Sequence, residues 1–344
     1  MITFASHHFL IIGRAGMDFN ADPPGVKIEH ATGFQASLGG SSANIAAALC
    51  RLGMSASLVT RVSDDAIGRY CLNQLDAYGV NRTYVKAIAG EYRNSLAVVE
   101  SCIEDHQAVI YRNGAADFQM ERADVADIDY ASYGALITTG TVLAAEPSRD
   151  ATFHAFQLAK DAGIPLIFDV DYRPYSWVSA EDAADTYSKA AELCDVIVGN
   201  DVEFGFMAGD YKHGLSKARE LARNSATLVV YKMGEHGAIT FARNAAADEG
   251  APDELRTGIY PVTALKPTGA GDSFMGGMLA SLCHGYPLKE AVLRGSACAS
   301  IVVSKPGCAP AMPTVETLNE FLLSHAGPTT PDLNQHESNQ HESN

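Results

Sequence analysis

Short apolar stretches of strand length alternate with helical patterns along most of this chain. Near the start, the buried-strand pattern HFLIIG precedes the helical pattern SSANIAAALCRLG, for which Ser41 or Ser42 is the predicted N-cap. Later, GALITTG, PLIFDVD, CDVIVGN and TLVVYKMG are further apolar stretches separated by helical ones. Strands and helices that alternate in this way form a parallel sheet covered on both faces, so the expected fold class is α/β.

Two segments, about 14–38 and 92–114, interrupt the alternation because neither contains a good helical pattern. The second one resembles a hairpin that turns at Glu104-Asp105. We expect both to leave the main sheet and pair as a small β-sheet lid over the strand ends, although ordinary surface loops would fit the pattern too. The domain is expected to span 1–325, and 326–344, where QHESN occurs twice, is expected to be a disordered tail.

Composition excludes several classes of function. The net charge of -16 disfavours nucleic acid and anionic membranes as partners. Seven scattered cysteines contain no C-x-x-C pair, which argues against a zinc site and fits a reducing compartment. The start, MITFASHHFLIIG, lacks the basic region of a signal peptide. We therefore expect a cytoplasmic protein.

The strongest chemical signal is Gly269-Ala270-Gly271-Asp272 at the start of the apolar helical pattern SFMGGMLASLCHG. The first N–H groups of a helix lack internal partners, and its dipole is positive there. With glycines to admit a ligand, such an end forms an anion pocket suited to a transferring phosphoryl group. Asp272 would then accept a proton from a substrate hydroxyl, or it would simply cap the helix. Gly276 and Gly277 in the same helix suggest a close packing contact.

The two other common nucleotide-binding motifs are missing from the sequence. No G-x-x-x-x-G-K-[ST] occurs, which excludes a P-loop kinase. No G-x-G-x-x-G follows a strand, which argues against a dinucleotide-dependent dehydrogenase.

Two separated motifs give the chain a resemblance to the ribokinase-like (PfkB) carbohydrate kinases. GGSSANIAAALCRLG, residues 39–53, resembles the family's N-terminal glycine-pair motif, and PTGAGDSFMGGML, residues 267–279, resembles its C-terminal motif. The resemblance extends from about Phe9 to about Leu323. It implies a ribokinase-like parallel-sheet sandwich with a small β-sheet lid, and an ATP-dependent phosphotransferase that acts on a sugar hydroxyl.

The resemblance also implies roles for individual residues around the acceptor. Asp272 is implied as the catalytic base, and the amides of Gly269, Ala270 and Gly271 as the anion hole. The implied sugar-binding residues are Asp18, Gly39, Gly40 and Asn44, with the two glycines as the hinge of the lid.

A second implied group binds the nucleotide. GNDVEF is similar to the family's N-x-x-E motif, so Asn200 and Glu203 would organise Mg²⁺ and the ATP phosphates, largely through water and without a direct protein ligand to the metal. KMGEHG is similar to its nucleotide loop and places Lys232 and Gly234 near ATP. The alternative is that Glu203 is an acid favoured by the helix dipole and that Lys232 is a surface charge.

The residues before the C-terminal motif depart from the family pattern. Lys266-Pro267 stands where members usually carry Asp-Thr, so that aspartate's role in nucleotide or monovalent-ion binding is not carried over. A monovalent cation near 304–313 remains an expectation from the family. The residues before the motif, with GRAGMDF, YRNGAADF, TGTVL and DVDYRPYSW, look most like the branch that phosphorylates 5-dehydro-2-deoxy-D-gluconate, a keto-deoxy sugar acid of myo-inositol catabolism, at its terminal hydroxyl.

A sugar acid bound by so acidic a protein needs local positive charge. Arg112 ends the predicted hairpin and Arg173 follows the strand LIFDVD, where α/β sheets bind ligands. Guanidinium groups match carboxylates bidentately, so we expect these two residues to hold the substrate carboxylate, with Arg14 as a weaker candidate. The alternative is that they form structural ion pairs with Asp117 and Asp171.

Other functions remain open at this point. A kinase of 2-keto-3-deoxygluconate or of fructose would use the same motifs, although a neutral sugar would not need the two arginines. A non-catalytic sugar or nucleotide sensor on this fold would bind without turnover, but it would have no use for Asp272 as a base. The resemblance further implies a homodimer formed through the lid.

Overall fold

The computed structural model describes residues 2–103, 106–243 and 252–329. Its strands are β1 His8–Ile12, β2 Gly16–Asp22, β3 Gly33–Gly39, β4 Ser55–Ser63, β5 Asn81–Ile88, β6 Leu96–Val99, β7 Ala108–Tyr111, β8 Ala135–Thr139, β9 Leu166–Asp169, β10 Val196–Asn200, β11 Leu228–Lys232, β12 Ala238–Ala242 and β13 Asp253–Thr257. Its α-helices are α1 Ser41–Arg51, α2 Ala66–Ala77, α3 Arg122–Val125, α4 Ser148–Asp161, α5 Ala180–Leu193, α6 Asp201–Met207, α7 Gly214–Asn224, α8 Ala270–Cys283, α9 Leu288–Val303 and α10 Val315–Ser324.

A nine-stranded sheet in the order β13-β12-β11-β10-β9-β8-β1-β4-β5 forms the centre of the molecule. The seven strands from β11 to β5 pair in parallel, and β12 and β13 add an antiparallel edge. The parallel strands all end at one edge of the sheet. The side chains that follow them therefore meet there, as in other open α/β sheets.

Alternate residues of each central strand enter two separate cores. In β1, Phe9 and Ile11 pack on the side of α1, α8 and α9, whereas Leu10 and Ile12 pack on the side of α4 to α7. All four side chains are fully buried. This is why HFLIIG is an unbroken apolar run: a strand covered on both faces has no polar side. The predicted α/β class is confirmed.

The start of α1 differs from the expectation that a serine caps it. Its N-cap is Gly40, with φ of 94°, and Ser41 is the first helical residue. A Cβ at Gly40 would lie 2.4 Å from the carbonyl oxygen of Arg14, so no side chain fits at this position. The hydroxyl of Ser41 is freed from capping and donates instead to the Asp171 carboxylate.

Helix α8 packs closely against both α1 and α9, in agreement with the close contact that Gly276 and Gly277 suggested. A Cβ on Gly276 would lie 2.6 Å from the Cβ of Ala48 in α1, and one on Gly277 would lie 2.6 Å from the Sγ of Cys298 in α9. Both contacts are shorter than real Cβ contacts. The glycines therefore let α8 sit deep in the core, which fixes its N-terminus at the carboxyl edge of the sheet.

A second, four-stranded sheet in the order β3-β2-β6-β7 stands apart from the first. One of its faces is polar and buried, with Asp18, Asn20 and Ser37 each less than a tenth exposed. The opposite face is apolar and becomes exposed away from the main domain. The exposed fraction is 47% for Phe34, 43% for Val109 and 61% for Tyr111. The predicted small separate sheet is confirmed, while the turn expected at 104–105 lies outside the described residues.

The end of the described chain still contacts the domain. The backbone N–H of Thr329 donates to the carbonyl of Ile259 at 2.7 Å, and the Thr329 hydroxyl accepts from the N–H of Ile259 at 3.0 Å. The rest of the predicted tail, from residue 330, lies outside the described residues. Within the described ranges, no helix is long and apolar enough to cross a membrane.

Candidate active site

The N-terminus of α8 opens at the carboxyl edge of the large sheet. Its N-cap is Gly269, whose left-handed φ of 82° turns the chain sharply into the helix, and no side chain caps it. The nearest atom to a Cβ added at Gly271 would be the Nζ of Lys232, at 3.2 Å. The first amides of α8 are thus left for an anion, with a lysine ammonium beside them.

Asp272 is the third residue of α8 and does not cap it. Its Oδ2 accepts a hydrogen bond of 2.8 Å from the Nδ2 of Asn44, which lies in the first turns of α1. The structure thereby brings together two predicted site residues that lie 228 positions apart. The Asn44 bond fixes one carboxylate oxygen of Asp272 and leaves the other for a ligand.

Burial raises the pKa of Asp272 to about 7, and the negative charge of Asp171 acts in the same direction. The Asn44 hydrogen bond opposes the shift, as do the positive charges of Arg173 and Lys232. A carboxyl group with this pKa exchanges its proton near neutral pH. Such a group is well matched to general base catalysis.

Asp18 belongs to the polar face of the small sheet and lies against Gly39 in the neighbouring strand. A Cβ at Gly39 would be only 1.9 Å from the Oδ1 of Asp18, so a glycine is required opposite this carboxylate. Burial raises the pKa of Asp18 to about 6, against the effect of Arg14 and Lys266. Asp18, Gly39 and Gly40 thus meet at the junction of the small sheet and α1.

The two predicted arginines form the ion pairs that were their alternative role. The Arg112 guanidinium is buried, binds the Asp117 carboxylate through Nε and Nη2, and donates from Nη1 to the Thr141 carbonyl at 2.9 Å. Arg173 binds Asp171 at 2.8 Å, but its side chain is 42% exposed. Arg173 therefore has donors open to a ligand, whereas Arg112 is almost enclosed.

Asp171 lies among three arginines. The pKa of Asp171 is lowered below its usual value, although burial by itself would raise it. The lowering comes first from Arg173 and the Ser41 hydrogen bond, and then from Arg14 and Arg112. The three guanidinium groups give this part of the cleft the local positive charge that the acidic protein otherwise lacks.

Asn200 and Glu203 bind each other at the start of α6. The Asn200 side chain accepts from the N–H of Glu203 at 2.9 Å, and Glu203 accepts from the N–H of Asn200 at 2.7 Å. This reciprocal capping box explains the N-x-x-E spacing by itself. Glu203 is nevertheless buried, and burial raises its pKa against the positive charge of Lys232.

Lys232 ends β11 and points to the start of α8, but Gly234 is less closely placed. Gly234 lies on an exposed turn, and a Cβ there would have no atom within 4 Å. The structure thus joins Lys232 to the group around Asp272 and leaves Gly234 at the rim.

Sequence reasoning missed two buried acids in this cleft as site candidates. Asp169 and Asp171 are 4% and 6% exposed and follow the last apolar residues of β9. The pKa of Asp169 is raised well above its usual value by burial, with Lys232 opposing and the charge of Glu203 adding to the shift. Two acids in a buried strand segment, DVD, were the signal for them. No cluster of three or more metal-ligand side chains is found in the described parts of the chain.

Comparison with known proteins gives matches along nearly the whole chain. The family model described as pfkB family carbohydrate kinase matches residues 6–315. A 5-dehydro-2-deoxygluconokinase of Geobacillus kaustophilus (strain HTA426) is 35% identical over 322 residues, which cover 92% of this chain and 94% of that protein.

Two solved structures are similar to this one throughout. A PfkB protein from Polaromonas sp. JS666 is 28% identical, with a TM-score of 0.76 over 91% of this chain and 99% of its own. A fructokinase double mutant from Vibrio cholerae O395, solved with fructose, ADP and a potassium ion, is 24% identical, with a TM-score of 0.80 over 94% and 100% of the two chains. The second likeness concerns the fold alone.

Proposed function

Because the chain belongs to the pfkB family of carbohydrate kinases, we propose that it transfers the γ-phosphoryl group of ATP to the terminal hydroxyl of 5-dehydro-2-deoxy-D-gluconate. The product is the 6-phosphate of this keto-deoxy sugar acid. The relative of 35% identity carries the name of that activity. In the site, the observation that carries the proposal is Asp272, held by Asn44 beside the open end of α8.

Asp272 is proposed as the general base. Its free carboxylate oxygen takes the proton of the terminal hydroxyl while the hydroxyl oxygen bonds to the γ-phosphorus and the bond to the ADP oxygen breaks. The amides of Gly269, Ala270 and Gly271 hold the phosphoryl oxygens, and Lys232 beside them offsets negative charge. ATP and the acid become ADP, the phosphorylated acid and one proton.

The buried acids of the cleft fit a divalent cation carried by ATP. Burial raises the pKa of both Asp169 and Glu203; the negative charge of Glu203 adds to the shift at Asp169, and that of Asp171 adds to the shift at Glu203. A hydrated Mg²⁺ on the phosphates would offset that repulsion, and it would supply charge neutralisation of the β- and γ-phosphates. Asn200 would hold Glu203 in place through the capping box.

The substrate carboxylate is proposed to bind Arg173, whose guanidinium is partly open to the cleft. Arg112 contributes charge and positions Asp117 and the Thr141 carbonyl, since its own donors are mostly used. Asp18 and Asn44 bind the sugar hydroxyls. The small sheet, with its polar face toward the site, closes over the acceptor and excludes water that would otherwise hydrolyse ATP.

The test is ADP release by the purified protein with Mg·ATP and a panel of acceptors: 5-dehydro-2-deoxygluconate, 2-keto-3-deoxygluconate, fructose, ribose and adenosine. We expect the highest kcat/KM on the first compound, and its loss by a factor of about 10² to 10⁴ in Asp272→Asn. Highest turnover on a neutral sugar would overturn the acid substrate but keep the kinase. ATP binding without turnover on any acceptor would favour the sensor.

Arg173→Ala and Arg112→Ala separate binding from structure. Arg173→Ala should raise the KM for the acid about 10- to 100-fold, the worth of a charge-assisted hydrogen bond, and leave the KM for ATP unchanged. Its Tm should fall less than that of Arg112→Ala, because the Asp171 carboxylate keeps its hydrogen bond from Ser41. Arg112→Ala should lower Tm, because it leaves the buried Asp117 charge unpaired. The control is Arg122→Ala, which breaks an exposed pair with Asp150. An unchanged KM in Arg173→Ala would contradict the clamp.

Two further parts of the proposal concern the whole protein. Free thiols support a location in the reducing cytoplasm, and they are found at Cys50, Cys71, Cys194, Cys283, Cys298 and Cys308. The apolar outer face of the small sheet, with Phe34, Val109 and Tyr111 exposed, supports a homodimer formed through that face.

A further inference from the structure

Lys266 is a buried cation next to the glycine turn at α8. It is 3% exposed, and its Nζ donates to the carbonyl of Thr268 at 2.6 Å and to the carbonyl of Val302 at 3.3 Å. Within the described ranges, no carboxylate lies at ion-pair distance from Nζ. A lysine ammonium taken out of water normally pairs with an acid, so one held by main-chain carbonyls needs an explanation.

One of the two carbonyls around the Lys266 ammonium, that of Val302, belongs to the negative end of a helix. Val302 and Val303 are the last residues of α9, whose final carbonyls lack helical partners and carry the negative end of its dipole. The N–H groups of Leu265 and Lys266 donate to the Val303 carbonyl at 2.7 and 3.3 Å. The segment before α8 is therefore fixed to the end of α9, with the ammonium at the join.

The Thr268 contact sets the direction of the next amide. The peptide group is planar and trans, so the Gly269 N–H points opposite to the Thr268 carbonyl. Because that carbonyl faces the ammonium, the N–H faces away from it. Gly269 itself has little room to move, since a Cβ there would lie 3.0 Å from the Sγ of Cys308 and 3.2 Å from Val302.

The charge of Lys266 also reaches both carboxylates of the site. It acts to lower the pKa of Asp18. Burial lowers the pKa of Lys266 itself, while Cys308, Asp272 and Asp18 act to raise it. The ammonium thus contributes positive potential at the start of α8, where phosphoryl charge would collect.

We propose that Lys266 is a positioning residue whose ammonium serves as a tethered monovalent cation, coordinated by main-chain carbonyls, that orients the Thr268–Gly269 peptide and fixes the anion pocket. The inference rests on the proposed kinase reaction. It has a specific consequence: turnover needs no free monovalent cation, because the chain supplies one. K⁺ and NH₄⁺ prefer the same kind of carbonyl coordination. A lysine ammonium can therefore take the place of a free monovalent cation among these carbonyls.

The first measurement is the turnover of the unmodified protein on its best acceptor, with K⁺, Na⁺ or tetramethylammonium as the only monovalent cation. We expect rates equal within twofold at constant ionic strength. Activation by K⁺ of tenfold or more would overturn the inference, because it would require a free ion. A protein that turns over no acceptor fails the proposed function instead, so the two failures are distinct.

Two variants then test the ammonium. Lys266→Met keeps the volume and removes the charge, and should lower kcat about 10- to 100-fold, with the KM for ATP changed far less. Lys266→Ala should lower kcat by the same factor. Added K⁺ or ethylammonium should then raise the kcat of this variant at least tenfold. A cavity of about 20 Å³ is lined in part by Lys266, and removal of the lysine side chain would enlarge it. Lys266→Met should show no rescue, because its side chain fills the space.

Lys305→Ala is the matched control, since it removes an exposed lysine three residues beyond Val302. It should keep the unmodified kcat and show no response to added cations. If Lys266→Met retained full kcat, the lysine would be only a filler and the inference would be wrong. Should Lys266→Ala fail to fold, as judged by Tm, the Met variant and the cation series still decide the question.

Discussion

The folded environment of Asp272, which Asn44 contacts, changes the acidity of a single carboxyl group. Each side chain alone has an ordinary explanation, as a helix-capping acid or as a polar residue on a helix. Burial and the negative charge of Asp171 raise the pKa of the Asp272 carboxyl to about 7, against the opposing effect of the 2.8 Å hydrogen bond from Asn44. An exposed aspartate would stay ionised well below that pH and would be a weaker base.

The pKa of Asp272 predicts a pH profile. The base must be unprotonated to accept a proton, so kcat/KM should fall as the pH drops through about 7 and should be flat above about 8. The measurement is kcat/KM for the acceptor from pH 5 to 9 at saturating Mg·ATP. A profile that stays flat from pH 5 to 8 would contradict Asp272 as the base.

Asp272→Asn gives an independent readout of the same shift. In the folded protein the acid keeps its proton up to about 7, whereas in the unfolded chain it loses the proton near 4. The folded state of the unmodified protein therefore loses stability as the pH rises between these values, and the variant does not. The Tm advantage of Asp272→Asn should be small at pH 4 and largest at pH 8.

The packing of helix α8 determines where its N-terminus lies. Its register places the apolar run against α1 and α9 and its first turn in the cleft. Gly276 permits this, because its backbone meets Ala48 without a side chain between them. Packing, and not helix propensity, decides the residue at this position, since glycine is a poor helix former.

Gly276→Ala tests that contact. Propensity alone would stabilise the helix by about 1 kcal/mol. We expect the opposite, a loss of about 1 to 3 kcal/mol in unfolding free energy, because the new Cβ would lie 2.6 Å from that of Ala48. The double variant Gly276→Ala with Ala48→Gly removes the clash and should recover most of the loss in urea unfolding. Recovery of none of it would show that the contact is not the cause.

The two faces of the small sheet differ in polarity and in exposure. The polar face is buried toward the candidate site, whereas the outer part of the apolar face is exposed at Phe34, Val109 and Tyr111. Met17 and Leu38, on the same apolar face, pack into the core. An exposed apolar sheet surface next to a site is a suitable surface for a second copy of the chain.

A charged substitution on that face should separate the subunits. Val109→Lys with Tyr111→Lys is expected to convert a dimer to a monomer in light scattering after size exclusion, because burying two lysines at an interface is unfavourable. The control is Leu323→Lys, since Leu323 is 88% exposed on α10. A monomeric unmodified protein at micromolar concentration, or an unaffected double variant, would contradict the dimer.

Local sequence patterns are sufficient to predict the arrangement of the main sheet. Apolar runs of strand length fix a buried parallel sheet, because only a strand covered on both faces lacks polar positions, as in β1. The glycines and Asp272 at the start of α8 predicted a candidate anion site for a similar local reason. Local patterns also predicted the small sheet and the tight packing at Gly276.

The surroundings of each charged side chain could not be predicted from local patterns and depend on how the chain packs. Ser41 was expected to cap α1 but donates to Asp171. In the sequence, Lys266 is only a departure from the family pattern, whereas in the structure it is buried and donates to main-chain carbonyls. Arg112 and Arg173 looked alike in sequence, yet one is enclosed by Asp117 and the other is open. Burial and charge pairing depend on residues far apart in the chain, so no local pattern contains them.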